Sequence, residues 1–257
     1  MKIVVIKLGG SVIDELASGF YQSLNELQNQ GYKLVFVHGG GPDINEMLAL
    51  YNVKPEFVNG LRKTGLDTLK VVEMTLAGQT NRKLVSLLSS HNFNAIGING
   101  SDGKLLNAEF INQEELGYVG EITEVNTNLL QLLIAQNYIP VVTPIGISKD
   151  CAKLNINADY AAAAVAKALN AEQCLFVTNV DGVLIEGKLA ECLTASEINT
   201  YIENGEISGG MIPKVQSALA TVEKGVDSVM IVSGKNPFYQ NEKWHGTSVT
   251  KKEPMIK

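Results

Sequence analysis

The sequence contains few of the residues from which zinc sites and disulfide frameworks are built. Its 257 residues include three cysteines and three histidines, and no C-x-x-C pair occurs. Zinc sites and disulfide-rich secreted domains need such residues at close or paired spacings. We therefore expect Cys151, Cys174 and Cys192 to be reduced, mostly packed thiols of a cytoplasmic protein, and we predict no metal site made of protein ligands.

The sequence also lacks a basic excess and a long apolar run. Lysine and arginine total 21 against 27 aspartates and glutamates, which gives a net charge of -6. This balance gives no electrostatic basis for binding nucleic acid or an anionic membrane, so any basic site must be local. No apolar run reaches the length of a membrane span, and the chain opens directly on a strand pattern. We expect neither a membrane segment nor a signal peptide.

The most informative stretch that is present is KLVFVHGGGP, residues 33–42. Its apolar run predicts a strand buried on both faces, followed by a glycine turn and a helix that Pro42 opens. Glycines let a ligand approach the backbone, and the free amides of a helix N-terminus favour an anion. A tight connection without a ligand would explain the triplet equally well if it stood alone.

A second copy of the pattern makes an anion site the better interpretation. The apolar strand of residues 1–7 runs into Gly9, Gly10 and a helical pattern over residues 14–28. The spacing excludes three common motifs. No lysine follows Gly41 as a Walker A loop requires, Ile44 stands where a Rossmann loop needs its third glycine, and no G-x-S-x-G elbow accompanies the HGGG sequence.

Strand and helix patterns alternate along the chain, which predicts a mostly parallel sheet with helices on both faces. At 257 residues the chain is long enough for one large α/β domain or two lobes. The predicted strands are residues 1–7, 34–37, 94–98, 139–142, 174–178 and 228–232. The predicted helices are residues 14–28, 66–91, 126–136, 157–169, 195–203 and 212–224, with antiparallel hairpins over the sheet's edge at 105–124.

Four charged residues are hard to explain by packing alone. Lys7 ends an apolar strand, where an unpaired ammonium is costly. Lys214 lies in the first turn of a helix, where the dipole disfavours a cation unless an anion sits between them. Asp159 stands in an alanine-rich helix and could hold lysines, and Arg62 follows a flexible Asn-Gly and could grip a carboxylate in bidentate fashion.

Each charge also has a structural explanation. Lys7 could extend to solvent, Asp159 could serve the helix start, and Arg62 could be an exposed loop charge. Together, however, the two lysines, the aspartate and the two glycine turns suit phosphoryl transfer to an anionic acceptor, which requires charge neutralisation and positioning. A carboxylate acceptor has no proton to lose, so no protein base is needed.

Six segments carry a family resemblance: IKLGGS (6–11), VHGGGP (37–42), NGLRKT (59–64), LNINAD (154–159), TNVDG (178–182) and GGMIPK (209–214). In this combination they resemble the acetylglutamate kinases of the amino acid kinase superfamily, over essentially the whole chain. IKLGG and HGGG alone would indicate only the superfamily. The other segments distinguish the chain from aspartokinase and carbamate kinase.

The resemblance implies phosphorylation of the side-chain carboxylate of N-acetyl-L-glutamate by MgATP, in arginine biosynthesis. It implies an α/β fold, a three-layer αβα sandwich around a mainly parallel eight-stranded open sheet. An amino-terminal lobe, residues 1–170, would bind acetylglutamate and dimerise, and a carboxy-terminal lobe, residues 171–257, would bind ATP. Lys7 and Lys214 would stabilise the transition state, with Asp159 orienting both.

The resemblance also assigns binding residues. The acceptor would be bound by Gly40, Gly41, Arg62 and Asn155, with Arg62 on the α-carboxylate and Asn157 supporting the site. The nucleotide would be bound by Gly9, Gly10, Asn179, Val180, Asp181, Gly182, Val183, Leu184, Glu206, Ile207 and Ser208. Mg²⁺ would be held through the nucleotide phosphates.

Two departures from the family pattern matter. Many relatives have aspartate where Asn179 stands, so contacts on the nucleotide side are less defined. The sequence lacks the extra amino-terminal helix that resembles the hexamer-forming element of arginine-inhibited members, so we expect a homodimer that arginine does not inhibit. Two alternatives to the acetylglutamate kinase stay open at this point: a catalytically silent amino-acid or nucleotide sensor, and a kinase of another N-acylglutamate.

Overall fold

The computed structural model describes residues 1–251. Its longer strands coincide with the apolar runs of the sequence, and its short ones form small hairpins. In chain order the strands are β1 (Ile3–Leu8), β2 (Lys33–His38), β3 (Phe57–Val58), β4 (Leu61–Arg62), β5 (Ala95–Asn99), β6 (Leu106–Phe110), β7 (Val119–Val125), β8 (Ile139–Thr143), β9 (Ile145–Ile147), β10 (Lys153–Ile156), β11 (Gln173–Thr178), β12 (Leu184–Ile185), β13 (Lys188–Leu189), β14 (Cys192–Thr194), β15 (Ser228–Ser233), β16 (Tyr239–Gln240), β17 (Lys243–Trp244) and β18 (Thr247–Thr250).

The helices lie between these strands. They are α1 (Gly10–Ile13), α2 (Ser18–Asn29), α3 (Gly41–Leu50), α4 (Leu66–Glu73), α5 (Asn81–Ser90), α6 (Gln113–Leu116), α7 (Asn128–Ala135), α8 (Ala158–Ala168), α9 (Ala195–Glu203) and α10 (Ile212–Glu223). A π-helical segment, Met74–Thr80, joins α4 to α5, so residues 66–90 are helical throughout, as the sequence predicted. Short 3₁₀ turns occupy Asp102–Lys104 and Gly209–Met211.

The main sheet has eight strands within residues 1–251, in the order β14-β18-β15-β11-β1-β2-β8-β5. Every neighbouring pair is parallel except β15 and β18, which are antiparallel. The predicted mainly parallel eight-stranded α/β sheet is therefore confirmed.

The two faces of the sheet are covered by different helices. Val4, Ile6 and Leu8 of β1 share one apolar cluster with helices α2 and α5. Ile3 and Val5 share the other cluster with helices α7, α8, α9 and α10. Because side chains alternate along a strand, a strand covered on both sides reads as an unbroken apolar run. The layers are thus helix, sheet and helix.

The structure corrects three local predictions. The helix predicted over 14–28 begins four residues late, since α2 starts at Ser18, and a separate short helix, α1, ends at Ile13 before the predicted range. Asn126 is not the cap of α7; Thr127 is the residue before the helix, and the Asn126 carboxamide accepts from the Asn128 amide at 3.3 Å. Pro42 occupies the second position of α3, which Gly41 opens, rather than its first.

The segment predicted as edge hairpins forms a separate small sheet instead. Strands β6 and β7 are antiparallel, as predicted, but they close with β9 and β10 into a four-stranded barrel.

The main sheet runs across the predicted lobe boundary, because β1 pairs with β11. The division at residue 170 therefore remains a prediction, and residues 252–257 of the predicted second lobe lie outside the described residues.

Within the described part of the chain, no helix is both long and apolar enough to cross a bilayer. The three cysteines are free, but they differ in exposure: Cys174 is buried, Cys192 is half-buried and Cys151 is exposed. The expectation of mostly packed thiols therefore fails for Cys151.

This difference predicts selective alkylation. Burial raises the pKa of the Cys174 thiol to about 12, and the thiolate is the form that reacts. At pH 8, iodoacetamide should label Cys151 fast, Cys192 more slowly and Cys174 only after denaturation, as read by peptide mass spectrometry. Labelling of Cys174 in the folded protein at the rate of Cys151 would contradict this assignment.

Candidate active site

Backbone register brings the predicted site residues to one edge of the main sheet. Leu8 of β1 lies opposite His38 of β2 on one side and Val177 of β11 on the other. All three strands are parallel and end within one or two residues of these positions. The turns that follow them therefore meet at the carboxyl edge of the sheet, where ligands of open α/β sheets bind.

The two glycine turns touch each other. A Cβ atom on Gly10 would lie 2.8 Å from the Gly40 Cα atom, and one on Gly40 would lie 2.6 Å from Leu76 Cδ2. Only residues without a side chain allow this approach. The helices α1 and α3 start at these turns, so their unpaired amides lie at the same edge.

All three residues predicted as catalytic line one cavity of about 210 Å³, together with Ser217. Lys7 Nζ lies 2.7 Å from Asp159 Oδ1, and both side chains are about four-fifths buried, at 19% and 18% exposed. The second carboxylate oxygen of Asp159 accepts a hydrogen bond from Ser217 Oγ. Asp159 is therefore held from two elements, β1 and α10.

Lys214 does not contact Asp159 here. Its Nζ donates to Asn179 Oδ1 at 2.8 Å, in the turn after β11. Lys214 lies near the start of α10, after Pro213. Burial lowers the pKa of Lys214, and the carboxylate of Glu15 opposes that shift. The Asn179 carboxamide carries no charge. The hydrogen bond therefore leaves the positive charge of Lys214 available to an anion.

The predicted acceptor residues line a second cavity, of about 200 Å³. Its polar walls are the glycine turn, Arg62, Asn155 and Asn157, and its apolar walls include Ile44, Leu76, Val119 and Pro144. Asn157 caps α8 by accepting from the amides of Asp159 and Tyr160 at 2.8 and 3.2 Å. The Asn155 carboxamide donates to Thr64 Oγ1 at 3.1 Å.

Arg62 is a buried cation without a carboxylate partner in the described chain. Its side chain donates from Nη2 to Asn45 Oδ1 at 2.7 Å and reaches the Gly41 carbonyl at 3.5 Å. Its Nη1 atom is buried and has no hydrogen-bond partner within residues 1–251. The Phe57 ring lies 4.7 Å from the guanidinium carbon. A mostly buried guanidinium that no carboxylate neutralises favours an anionic ligand in the cavity that it lines.

The third cavity, of about 490 Å³, is large enough for a nucleotide. It is lined by the predicted nucleotide residues Asn179, Val180, Asp181, Gly182, Val183, Leu184, Glu206, Ile207 and Ser208. Gly9 and Gly10 line none of the three cavities, although a Cβ on Gly9 would lie 4.0 Å from Lys7 Nζ. Asn179 joins the nucleotide cavity to the lysine cavity through its bond to Lys214.

His38, the last residue of β2, contacts the glycine turn that follows it. It is fully buried, and burial lowers its pKa to about 4. Its Nε2 atom lies 3.1 Å from Asn81 Nδ2, which donates, and its Nδ1 atom lies 3.2 Å from the Gly39 carbonyl, which accepts. The imidazole is therefore neutral with its proton on Nδ1, and it ties the turn to α5.

Sequence reasoning missed several residues that line these cavities or hold the residues that line them. Ser217 follows Lys214 by three residues, and Asn45 follows Gly41 by four, so helix periodicity could have placed each on the same face as its neighbour. No sequence pattern points to Ser233, Lys235 and Asn236, which line the nucleotide cavity from the turn after β15. They come from a distant part of the chain.

The sequence profile of the amino acid kinase family matches residues 2–233. The chain therefore belongs to the amino acid kinase family. Kinases take their phosphoryl group from ATP.

Within that family the chain is similar over nearly its whole length to acetylglutamate kinases. It is 53% identical over 250 residues to the acetylglutamate kinase of Geobacillus stearothermophilus, covering 97% of each chain. It is 51% identical over 248 residues to that of Geobacillus thermodenitrificans, covering 96% of each. A crystal structure of a Streptococcus mutans UA159 protein superposes with a TM-score of 0.82 at 33% identity, over 97% of this chain and 99% of that one. The predicted family resemblance is confirmed.

Proposed function

We propose that this chain phosphorylates the side-chain carboxylate of N-acetyl-L-glutamate with ATP, the acyl phosphate step of arginine biosynthesis. The observation that carries the proposal is that the three cavities adjoin through their lining residues. Asp159 of the two-lysine cavity directly follows Asn157 and Ala158 of the acceptor cavity, and Lys214 bonds to Asn179 of the nucleotide-sized cavity. The relatives named above support the choice of acceptor.

Arg62 binds the α-carboxylate of the acceptor in this mechanism. The Arg62 side chain lines the acceptor cavity, and its guanidinium forms a charge-assisted hydrogen bond with the carboxylate that enters. Gly40, Gly41, Asn155 and Asn157 surround the rest of the molecule. The apolar wall around Leu76 and Val119 accepts the acyl methyl group.

The two lysines neutralise the charge of the transferred group. An oxygen of the side-chain carboxylate attacks the γ-phosphorus; the new O–P bond forms as the bond to the bridging oxygen breaks, and ADP leaves. Lys7 approaches from β1 and Lys214 from the start of α10. Their charges, with the amides of the Gly9-Gly10 and Gly41 turns, stabilise the negative oxygens of the phosphoryl group in the transition state. Asp159 keeps Lys7 oriented.

The nucleotide cavity holds ATP between residues 179–184 and 206–208. Mg²⁺ accompanies the phosphates, and it supplies further charge neutralisation when bound. Within residues 1–251 no group of three or more His, Cys, Asp or Glu side chains could hold a metal ion. In nucleotide sites Mg²⁺ takes most of its ligands from substrate phosphates and water, with one or two carboxylates from the protein.

Trapping with hydroxylamine tests the proposal. With ATP, Mg²⁺ and N-acetyl-L-glutamate, the protein should form an acyl phosphate that hydroxylamine converts to a hydroxamate, measured as its coloured iron(III) complex. N-succinylglutamate and free glutamate serve as competing acceptors in parallel reactions. No hydroxamate from any acceptor would indicate a silent sensor, and a faster reaction with the succinyl compound would indicate another N-acylglutamate kinase.

Replacing Lys214 should slow the chemical step. Lys214→Ala should lower kcat by about 10² to 10³, the scale for losing a preorganised charge-stabilising group, and should change the acetylglutamate KM much less. The control is Lys149→Ala, since Lys149 is exposed and paired with Glu109 far from the cavities. Turnover of Lys214→Ala close to that of the wild type would overturn the role assigned to Lys214.

We further propose that the enzyme is a homodimer in the cytoplasm. Strand β5 is an unpaired edge of the main sheet, and the helix of residues 66–90 runs beside it. Leu66 and Met74 of that helix are exposed apolar side chains, as at a protein interface. The three free cysteines suit a reducing compartment.

The oligomeric state can be measured by light scattering after size exclusion. The wild type should elute as two chains of 27.7 kDa each, and Met74→Lys should shift it towards the monomer, because a charge at an apolar interface must be desolvated. Arginine should not inhibit the dimer. A hexamer that sub-millimolar arginine inhibits would refute this proposal.

A further inference from the structure

Asn45 makes the shorter of the two hydrogen bonds of the Arg62 side chain, yet it does not line the acceptor cavity. Its Oδ1 atom accepts from Arg62 Nη2 at 2.7 Å. The other polar contact of that nitrogen, to the Gly41 carbonyl, is long at 3.5 Å. Asn45 is on the exposed side of α3, one turn after the glycine turn. It therefore holds the guanidinium from outside the cavity.

The neutrality of the Asn45 side chain matters as much as its position. A buried arginine usually pairs with a carboxylate. Arg62 is 8% exposed and forms no ion pair within the described residues. The neighbouring carboxylate Asp43 is occupied elsewhere, since it accepts from Thr80 Oγ1 at 2.7 Å. A carboxamide can orient Arg62 without neutralising it.

We infer that Asn45 is a positioning residue for acceptor binding, whose neutral carboxamide orients Arg62 while leaving its full charge to the substrate carboxylate. The inference rests on the proposed function, and it adds a specificity device to that function. An aspartate at the same position would keep the acceptor oxygen but would compete with the substrate for the guanidinium. The two substitutions Asn45→Ala and Asn45→Asp therefore separate geometry from charge.

Steady-state kinetics test the inference. Asn45→Ala should raise the acetylglutamate KM about tenfold, the change for losing one hydrogen bond to a charged group. Asn45→Asp should raise it at least as much, although it preserves the hydrogen-bond acceptor. In both variants kcat and the ATP KM should stay within about twofold of the wild type, because a binding contact equal in ground and transition states affects KM alone.

An acceptor without the α-carboxylate gives a readout that a structural role would not change. The α-amide of N-acetylglutamate lacks the carboxylate that Arg62 binds, so the wild type should strongly prefer the acid. That preference should shrink about tenfold in Asn45→Asp, because the guanidinium is already neutralised there. If Asn45 only stabilised α3, both acceptors would be affected equally.

Ala49→Asp is the matched control. Ala49 is exposed on the same helix face, one turn further from Arg62, so the substitution adds the same charge without reaching the guanidinium. Its KM values should stay within about twofold of the wild type. Because Ala49 is exposed, we expect the Tm of Ala49→Asp to stay close to that of the wild type.

The outcomes distinguish this inference from the proposed function. Wild-type turnover with unchanged acetylglutamate KM in Asn45→Ala and Asn45→Asp would overturn the inference and leave the function standing. An Asn45→Asp variant with wild-type KM, beside a weakened Asn45→Ala, would overturn the requirement for neutrality. Absence of acetylglutamate-dependent turnover in the wild type would overturn the function, and the inference with it.

Discussion

The site depends on the hydrogen-bond register of one central strand. β1 pairs in parallel with β2 on one side and β11 on the other, so Leu8, His38 and Val177 are level with each other. Parallel strands that end level deliver their turns to the same place. The two glycine turns and the turn at Asn179 come from distant stretches of the sequence, and they meet because backbone pairing leaves the strand ends no other position. Side-chain chemistry then acts on an edge that the backbone has already assembled.

A second constraint is electrostatic. The chain has a net charge of -6, yet its lysine and acceptor cavities together gather three cations, Lys7, Lys214 and Arg62. Of the side chains that hold them, Asp159 is a carboxylate, whereas Asn179 and Asn45 are neutral carboxamides. Neutral acceptors orient a cation and leave its charge uncompensated, which suits a site where two anionic reactants must meet. The same arrangement without reactants is costly, because partly buried cations lose hydration. That loss lowers the pKa values of Lys214 and Arg62.

The hydrogen bond from Ser217 to Asp159 links the parts of the chain that carry Lys7 and Lys214. Asp159 is on α8, before the proposed lobe boundary, and Ser217 is on α10, one turn after Lys214. The Asp159 carboxylate thereby connects β1, which carries Lys7, with α10, which carries Lys214. Rigid positioning of this kind is what phosphoryl transfer needs from a protein, since little covalent chemistry falls to side chains.

The sequence by itself determined the α/β class, the alternation of strands and helices, the family and the set of candidate site residues. Those depend on local patterns: apolar runs of strand length, glycines before helix starts, and cations where their own element cannot neutralise them. Only the tertiary structure decided where the helix predicted over residues 14–28 begins and that a four-stranded barrel forms. It also decided that Asn179 and Asn45 are the partners of Lys214 and Arg62. A hydrogen-bond partner depends on distances of a few tenths of an ångström between elements far apart in the chain, and sequence spacing carries no record of such distances.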